Sequence, residues 1–88
     1  MVNELKLNLD KIHTTPMGAE RITRNLSLTY DPVLWCESEI GKATDIIRKG
    51  KNWYIRASGA VITVNANTYT IITAHKDKTT EYAKKDNK

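Results

Sequence analysis

Residues 46–73 contain four β-prone runs that follow one another at short intervals: Ile46-Ile47-Arg48, Trp53-Tyr54-Ile55-Arg56, Val61-Ile62-Thr63-Val64 and Tyr69-Thr70-Ile71-Ile72-Thr73. β-Branched and aromatic side chains dominate these runs. Turn-forming residues separate them, at Lys49-Gly50-Lys51-Asn52, Ser58-Gly59 and Asn65-Ala66-Asn67. Because such short loops join antiparallel neighbours, the pattern predicts a meander of three or four antiparallel strands.

Alternation along the runs assigns side chains to the two faces of this sheet. The face expected to pack against helices carries Trp53, Ile55, Ile62, Val64, Ile72 and Ala74. The opposite face is expected to carry Tyr54, Arg56, Val61, Thr63, Asn65, Tyr69, Ile71, Thr73 and His75. A one-residue bulge would exchange part of the two sets, because side chains on a strand repeat every second residue.

Helical periodicity replaces this alternation in the N-terminal half of the chain. Leucine and isoleucine side chains about one turn apart predict a first helix over residues 4–12. Thr15 and Asp31 each precede a proline, and a polar N-cap followed by proline is a typical helix start. These signals predict two more helices, at about 16–28 and about 32–41. The expected fold class is therefore α+β, with two or three N-terminal helices packed on one face of a three- to four-stranded antiparallel meander.

Length and composition indicate one small domain. The chain has 88 residues, of which 40% are hydrophobic, and we assign residues 1–76 to a single α+β domain and 77–88 to a polar, lysine-rich tail. Cys36 is the only cysteine, which excludes an intramolecular disulfide and fits a reducing compartment; we expect it to be a buried, unreactive side chain. Neither a membrane-spanning stretch nor a signal peptide is recognisable, so we expect a cytoplasmic protein without a membrane partner.

Charge is distributed unevenly along the chain, whose formal net charge is +4. Residues 1–40 carry four basic and six acidic side chains, whereas residues 41–75 carry five basic and one acidic. This asymmetry predicts that an anionic partner binds the sheet half. The cations expected to dominate are Lys49, Lys51, Arg56 and Lys76. The alternative is that the basic excess only keeps the protein soluble.

Motifs for metal or cofactor binding are missing from the sequence. His13 and His75 are far apart along the chain, and one cysteine is too few for a thiolate site. No glycine-rich phosphate loop and no zinc or calcium motif occurs. We therefore expect neither a metal nor a cofactor.

The polar face of the predicted sheet is the remaining candidate for a functional site. Arg56 and Lys51 could hold phosphate, Tyr54 and Tyr69 could stack on bases, and His75 could act as a general acid or base. The residues assigned to ligand binding are Arg21, Lys51, Tyr54, Arg56, Thr63, Asn65, Tyr69, Thr73 and His75, with Arg24 as an alternative to Arg21. Each residue also has a structural interpretation, since exposed arginines are often solvated and tyrosine pairs often pack across strands.

Several strings also resemble a family of small bacterial and phage proteins of unknown function, over residues 4–76. The strings are Lys11-Ile12-His13-Thr14-Thr15, Glu20-Arg21-Ile22-Thr23-Arg24-Asn25-Leu26, Lys49-Gly50-Lys51-Asn52-Trp53-Tyr54, Ile62-Thr63-Val64-Asn65-Ala66 and Tyr69-Thr70-Ile71-Ile72-Thr73-Ala74-His75-Lys76. The family implies no activity. More loosely, helices followed by a meander that ends in Thr-Ala-His are similar to the barnase, EndoU and RelE-like ribonuclease fold, although the carboxylate used by barnase-like members is missing.

Two functions from different classes follow from these patterns. The first is a small non-enzymatic protein of a phage or mobile element that binds RNA, a nucleotide or a nucleoprotein, including a host-defence component that it would inhibit. The second is a metal-independent ribonuclease in which His75 carries the proton and Arg56 holds the phosphate. The first is favoured because no convincing second acid–base group accompanies His75.

Overall fold

The four β-prone runs form one antiparallel sheet with its strands in chain order, which confirms the predicted meander. The structure is a computed structural model that describes residues 4–77. The strands are β1 (Asp45–Lys49), β2 (Asn52–Ala57), β3 (Ala60–Asn65) and β4 (Ile71–Lys76). Each strand therefore lies beside its neighbour in sequence, as short connections require.

Two-residue turns close the first two hairpins, and positive φ angles mark both of them. Gly50 has a φ of 61°, and Ser58 and Gly59 have φ angles of 50° and 74°. The Ser58-Gly59 turn has positive φ at both central residues, which is the pattern of a type I′ turn. The first turn has positive φ only at its first central residue, Gly50, as a type II′ turn does. The twist of both turn types matches that of two paired strands. The Ser58-Gly59 turn thereby places Ala57 opposite Ala60 and fixes the register between β2 and β3.

The N-terminal half forms the predicted helices. They are α1 (Glu4–Leu7), a 3-10 turn (Leu9–Lys11), α2 (Pro16–Leu26) and α3 (Pro32–Lys42). Both predicted starts are confirmed: the Gly18 N–H donates to Thr15 Oγ1 at 3.0 Å, and the Val33 N–H donates to Asp31 Oδ1 at 2.8 Å. Within residues 4–77, no helix has the length and apolar character needed to cross a bilayer.

The prediction of one continuous helix over residues 4–12 is wrong. The side chain of Asn8 donates to the Glu4 carbonyl at 2.9 Å, and such a bond from an asparagine competes with regular helical bonding. α1 therefore stops after one turn and the chain continues as a 3-10 turn. α2 ends at Leu26, two residues earlier than predicted, because Ser27 adopts a left-handed φ of 53°.

The helices pack on one face of the sheet, as predicted. The helical half contributes these apolar side chains to the core: Leu5, Ile12 (just after the 3-10 turn), Ile22, Cys36 and Ile40. The sheet contributes Trp53, Ile55, Ile62, Val64, Ile71 and Ala74. Trp53 is buried and Tyr54 only half-buried, which confirms the alternation along β2. The expected burial of Cys36 is likewise confirmed.

A bulge between β3 and β4 overturns part of the predicted face assignment. Thr63 lies opposite Thr73 but Val64 lies opposite Ile71, so that Ile72 is an extra residue in β4. Ile71 is consequently 1% exposed in the core and Ile72 is 44% exposed, the reverse of the prediction. Two adjacent isoleucines suit the core equally well, and alternation alone could not choose between them.

The segment before α2 covers the start of β4. His13 forms an isolated parallel bridge with Thr70. Its N–H donates to the Tyr69 carbonyl at 3.2 Å, and its carbonyl accepts from the Ile71 N–H at 2.7 Å. The bridge joins residues far apart in sequence and brings the 3-10 turn close to the loop between β3 and β4.

The residue after β4 also packs against the sheet. The Asp77 N–H donates to the Gly59 carbonyl at 2.8 Å, and Asp77 is buried. Asp77 was assigned to the polar tail, but its contacts belong to the sheet. The remainder of that predicted tail, 78–88, lies outside the described residues.

Candidate functional site

The sheet face opposite the helices, the open face, carries most of the residues predicted to bind ligand. Strand register arranges their side chains in rows across the sheet: first Asp45, Arg56, Val61 and His75; second Ile47, Tyr54, Thr63 and Thr73; third Lys49, Asn52 and Asn65. Since neighbouring strands lie about 4.8 Å apart, four positions in a row span about 14 Å. The structure therefore places Tyr54, Arg56, Thr63, Thr73 and His75 on one surface.

Arg56 is held by two carboxylates on this surface. Its Nε atom donates to Asp77 Oδ2 at 3.1 Å, and its Nη2 atom lies 3.0 Å from the same oxygen in an ion pair. Its Nη1 atom lies 4.0 Å from Asp45 Oδ2. A phosphate would have to compete with these carboxylates for the guanidinium, so the local charge does not favour an added anion.

His75 lies in the same row as Arg56 with Val61 between them. Two strand spacings separate the His75 and Arg56 backbones by about 10 Å. The imidazole is exposed, and its Nδ1 atom lies 2.9 Å from the Lys76 carbonyl. This contact orients the ring but provides no carboxylate partner for proton transfer.

Other predicted site residues have structural roles that the sequence did not reveal. Asn65 Oδ1 accepts from the N–H groups of Asn67 and Thr68 at 2.8 and 3.0 Å, which stabilises the loop between β3 and β4. Thr63 is buried opposite the half-buried Thr73, although both belong to the open face. These side chains offer little surface to a ligand.

Two further members of the predicted set lie away from the open face. Tyr69 has a left-handed φ of 61° and packs beside Trp53, with the ring centroids 5.6 Å apart. Arg21 is exposed on α2, and α2 packs against the core face through Ile22. Arg24, the alternative, pairs with Glu20 on the same helix at 3.2 Å. The assignment of Tyr69 to the open face is therefore wrong, and Arg21 lies on the helical side of the sheet.

Unpaired cations gather instead at one end of the sheet, which we call the cationic end: Lys11, Arg48, Lys49 and Lys51. All four residues are exposed, and none forms an ion pair with a carboxylate of residues 4–77. At the other end, in contrast, Arg56 contacts Asp77 and Lys42 lies 3.3 Å from Glu39. The two ends of the sheet thus differ mainly in whether their cations form ion pairs with carboxylates, and less in the number of cations.

Backbone hydrogen bonds hold the segments of the cationic end together. The Ala66 N–H donates to the Lys51 carbonyl at 2.7 Å, which joins the first hairpin turn to the loop between β3 and β4. Tyr69 of that loop accepts from the N–H of His13, two residues after Lys11. The uncharged loop between β3 and β4 therefore ties the segment that carries Lys11 to the turn that carries Lys51.

An aromatic pair lies beneath this charge. The Lys11 Nζ atom is 5.8 Å from the Tyr69 ring, and the Arg48 guanidinium is 5.4 Å from the Trp53 ring. Both distances are within the range of cation–π attraction, and the two rings lie next to each other. The Tyr69–Trp53 pair thus positions two cations, Lys11 and Arg48, that are 37 positions apart in the sequence.

A shallow groove on the open face adjoins the cationic end. Its lining is formed by Ile47, Lys49, Gly50 and Tyr54. The Tyr54 hydroxyl accepts a long hydrogen bond from the Asn52 side chain at 3.4 Å, and the ring is half-buried. An aromatic ring beside a lysine can receive a base and its phosphate together.

Lys11, Arg48 and His13 were not predicted to share one surface. Neither Lys11 nor Arg48 was a candidate site residue, and His13 was weighed as a site residue only for metal binding. The bridge from His13 to Thr70 spans 57 positions and has no local signature in the sequence. Among residues 4–77, no group of three or more metal-ligating side chains comes together.

Comparison with known proteins identifies the family but no activity. The profile of a family described as "Protein of unknown function (DUF3781)" matches residues 6–75. The chain therefore belongs to this family, which confirms the predicted membership of a family without known function. Neither a curated protein nor a solved structure matches the chain.

Proposed function

We propose that this family member binds an anionic partner at its cationic end and does so without turnover. The proposal rests on four exposed cations that converge from the 3-10 turn, β1 and the first hairpin turn and that form no ion pair within residues 4–77. They are Lys11, Arg48, Lys49 and Lys51. Such a cluster raises the local potential and attracts phosphate-bearing molecules. The partner class is RNA, a nucleotide or the nucleic-acid part of a nucleoprotein.

The groove beside the cationic end supports a ligand that carries bases as well as phosphates. Tyr54 and Ile47 supply an aromatic and an apolar surface, and Lys49 lines the same groove. Stacking on aromatic rings combined with lysine contacts to the backbone is how sequence-independent proteins bind single strands. Single-stranded RNA is therefore the appropriate first probe.

The ribonuclease alternative has less support. The residue expected to hold the phosphate, Arg56, already forms a hydrogen bond and an ion pair with Asp77. The expected proton carrier, His75, has its Nδ1 atom beside a backbone carbonyl, and the carboxylate in its row, Asp45, lies three strands away on β1 beside Arg56. Metal-free RNA cleavage needs a base, an acid and a charge stabiliser together. Binding without turnover needs only the cations and the groove.

The biological role proposed from the sequence extends this binding function. A chain of phage or mobile-element origin that sequesters RNA, a nucleotide signal or a nucleoprotein would inhibit a host-defence component without cleaving it. The same observation supports this role: Lys11 and Lys51 are exposed and form no ion pair within residues 4–77.

Fluorescence anisotropy with a labelled single-stranded RNA of about 12 nucleotides tests the proposal. Binding should weaken with salt, with a slope of log affinity against log salt of about −2 to −3 for three or four neutralised phosphates. Lys51→Glu and Lys11→Glu should each weaken binding and reduce the slope by about one contact. Both side chains are exposed, so neither change should disturb folding.

Lys76→Glu is the matched control, because it makes the same change in net charge at the opposite end of the sheet. Lys76 lies beside Ala60 at the Ser58-Gly59 turn, whereas Lys51 lies in the turn before Asn52. The control should retain most of the wild-type affinity. Equal losses in Lys51→Glu and Lys76→Glu would show a general charge effect, and salt-insensitive binding would contradict the proposal.

A further inference from the structure

The outer edge of β1 has a defined pattern of backbone groups. β1 is the first strand of the sheet and pairs only with β2 among the described strands. In the turn that joins them, Lys49 lies opposite Asn52, and this closing pair exchanges hydrogen bonds across the hairpin. Because bonded and non-bonded pairs alternate, Ile47 and Asp45 also bond to β2, whereas the N–H and C=O groups of Ile46 and Arg48 point away from it.

The side chains along this edge are self-complementary. Asp45, Ile47 and Lys49 share the open face, with an acid at one end of the strand, a base at the other and an apolar residue in the middle. Ile47, the central residue of the strand, is 54% exposed. A strand with this order of residues matches a copy of itself that runs in the opposite direction.

We propose that two copies of this chain pair through β1 in antiparallel orientation about Ile47, forming one continuous eight-stranded sheet. In this register Ile47 faces Ile47 of the second copy, and Asp45 faces Lys49 of the second copy. Ile46 faces Arg48 of the second copy, so the outward backbone groups of both residues are paired. The interface shares Ile47 and Lys49 with the groove described above, but the pairing of the strands does not rest on anion binding.

Neighbouring registers of the same edge are poorer. Shifting by one pair in one direction places Arg48 opposite Arg48 of the second copy, which sets like charges against each other. Shifting in the other direction places Asp45 opposite Ile47 and leaves Lys49 without an acidic partner. Only the register centred on Ile47 combines opposite charges at both ends with the full set of backbone bonds. Charged edge residues commonly prevent strand pairing. Here each charged residue of the open face, Asp45 or Lys49, faces a residue of opposite charge in the second copy.

The opposite edge of the sheet is already occupied. At the start of β4, His13 bonds to Tyr69 and Ile71, and Thr14 Oγ1 donates to the Ile71 carbonyl at 3.1 Å. Further along, Asn25 Nδ2 donates to the Ala74 carbonyl at 3.2 Å. These contacts leave β1 as the edge at which another strand can be added.

Sedimentation equilibrium of the full chain tests the proposal. The chain mass is 10.0 kDa, so the apparent mass should approach twice this value as the concentration rises to about 1 mM, since a single pair of strands makes a small and weak interface. Asp45→Lys and Lys49→Asp should each shift the protein to monomer. Asp45→Lys combined with Lys49→Asp should restore the dimer, because the opposite charges are exchanged and not lost.

Ile47→Lys should also give a monomer, and Ile72→Lys is its control. Ile72 is likewise exposed but lies in β4, away from the proposed interface. Circular dichroism verifies that each variant is folded. If the wild-type chain is still a monomer at about 1 mM, self-association is overturned, and the edge of β1 would be available to a strand of another protein. If the double variant stays monomeric, the proposed register is overturned.

Amide exchange in the wild-type chain gives a second measurement that needs no variant. The N–H groups of Ile46 and Arg48 should exchange quickly in dilute protein and slowly in concentrated protein. Those of Ile47 and Lys49, which bond to β2, should be protected at both concentrations. Concentration-independent exchange at Ile46 and Arg48 would contradict the proposal. Anion binding is tested separately, since Lys11 and Lys51 lie outside β1.

Discussion

Arg56 donates from Nε to Asp77 Oδ2 at 3.1 Å, and its Nη2 atom forms an ion pair with the same oxygen at 3.0 Å. The pair joins β2 to the residue that follows β4, across the intervening β3. The Asp77 side chain is 10% exposed and that of Arg56 48%. Charge-assisted hydrogen bonds to a largely buried carboxylate are stronger than ion pairs between two exposed side chains. The pair therefore anchors the end of the described chain to the hairpin of β2 and β3.

Replacing Asp77 with asparagine should lower the free energy of unfolding by about 1–3 kcal/mol, since the charged hydrogen bonds to Arg56 would be lost. Urea denaturation measures this change. Asp45→Asn is the control, because Asp45 lies 4.0 Å from Arg56 and its side chain is 46% exposed. The control should change stability by less than about 0.5 kcal/mol. Equal effects would show that burial adds nothing to the Asp77 contact.

The bulge in β4 predicts very different consequences for two adjacent isoleucines. Ile71→Ala should lower the free energy of unfolding by about 2–4 kcal/mol, because a 1% exposed side chain leaves a cavity in the core. Ile72→Ala should cost less than about 1 kcal/mol, since Ile72 is 44% exposed. Thermal or urea unfolding of the two variants compares them directly. The opposite order would mean that β4 pairs with β3 without the bulge.

Local signals account for what the sequence predicted correctly. Thr15 and Asp31 cap helices through bonds to residues two or three positions away, so their role is visible in short strings. The Ser58-Gly59 turn and the alternation around Trp53 likewise depend on neighbours only. Helix starts, strand order and the faces of β2 and β3 were therefore predictable.

Contacts between distant residues account for what was missed. Nothing near Asp77 in sequence indicates that its carboxylate binds Arg56, which lies 21 positions earlier. The bridge of His13 with Thr70 similarly moves Lys11 to the cationic end. Arg56 and Lys51 belong to the same basic region of the sequence, although Arg56 is paired with carboxylates and Lys51 has no ion pair within residues 4–77.

Cys36 should react slowly with thiol reagents in the native protein. Burial, with a smaller contribution from nearby Glu39, raises the pKa of this thiol from 9.0 to about 12, and the thiolate is the reactive form. The modification rate at pH 8 should therefore follow the fraction of unfolded protein and rise steeply with urea. Rapid labelling of native protein, measured by mass spectrometry, would contradict the burial of the side chain.

The same shift in the pKa of Cys36 predicts a loss of stability in alkaline solution. Below pH 9 the thiol is protonated in the folded and the unfolded chain, so the free energy of unfolding does not depend on it. Above pH 9 the unfolded chain ionises first, and stability should fall by about 1 kcal/mol per pH unit up to about pH 12. Comparison with Cys36→Ala isolates this effect, because other alkaline titrations are common to both proteins. Parallel pH profiles would show that the thiol does not contribute.

Variants of Tyr54 and His75 should separate the binding function from the ribonuclease alternative. Tyr54→Ala removes the ring from the groove that it forms with Ile47 and Lys49, and should weaken RNA binding by about 1–3 kcal/mol through lost stacking. Tyr54→Phe keeps the ring and loses only the long hydrogen bond from Asn52, so it should bind almost as well as wild type. Anisotropy titrations at one fixed salt concentration compare the three proteins.

His75→Ala should leave RNA affinity unchanged, because the imidazole lies at the end of the sheet that carries Arg56 and Asp77, away from Lys49 and Lys51. Intact labelled RNA should also be recovered after incubation with wild-type protein, as judged on a denaturing gel. Cleavage that falls by about 10²–10⁴-fold in His75→Ala, with binding retained, would identify a general acid or base and establish the ribonuclease instead. RNA binding that survives both Tyr54→Ala and Lys51→Glu would place the anion site elsewhere on the molecule.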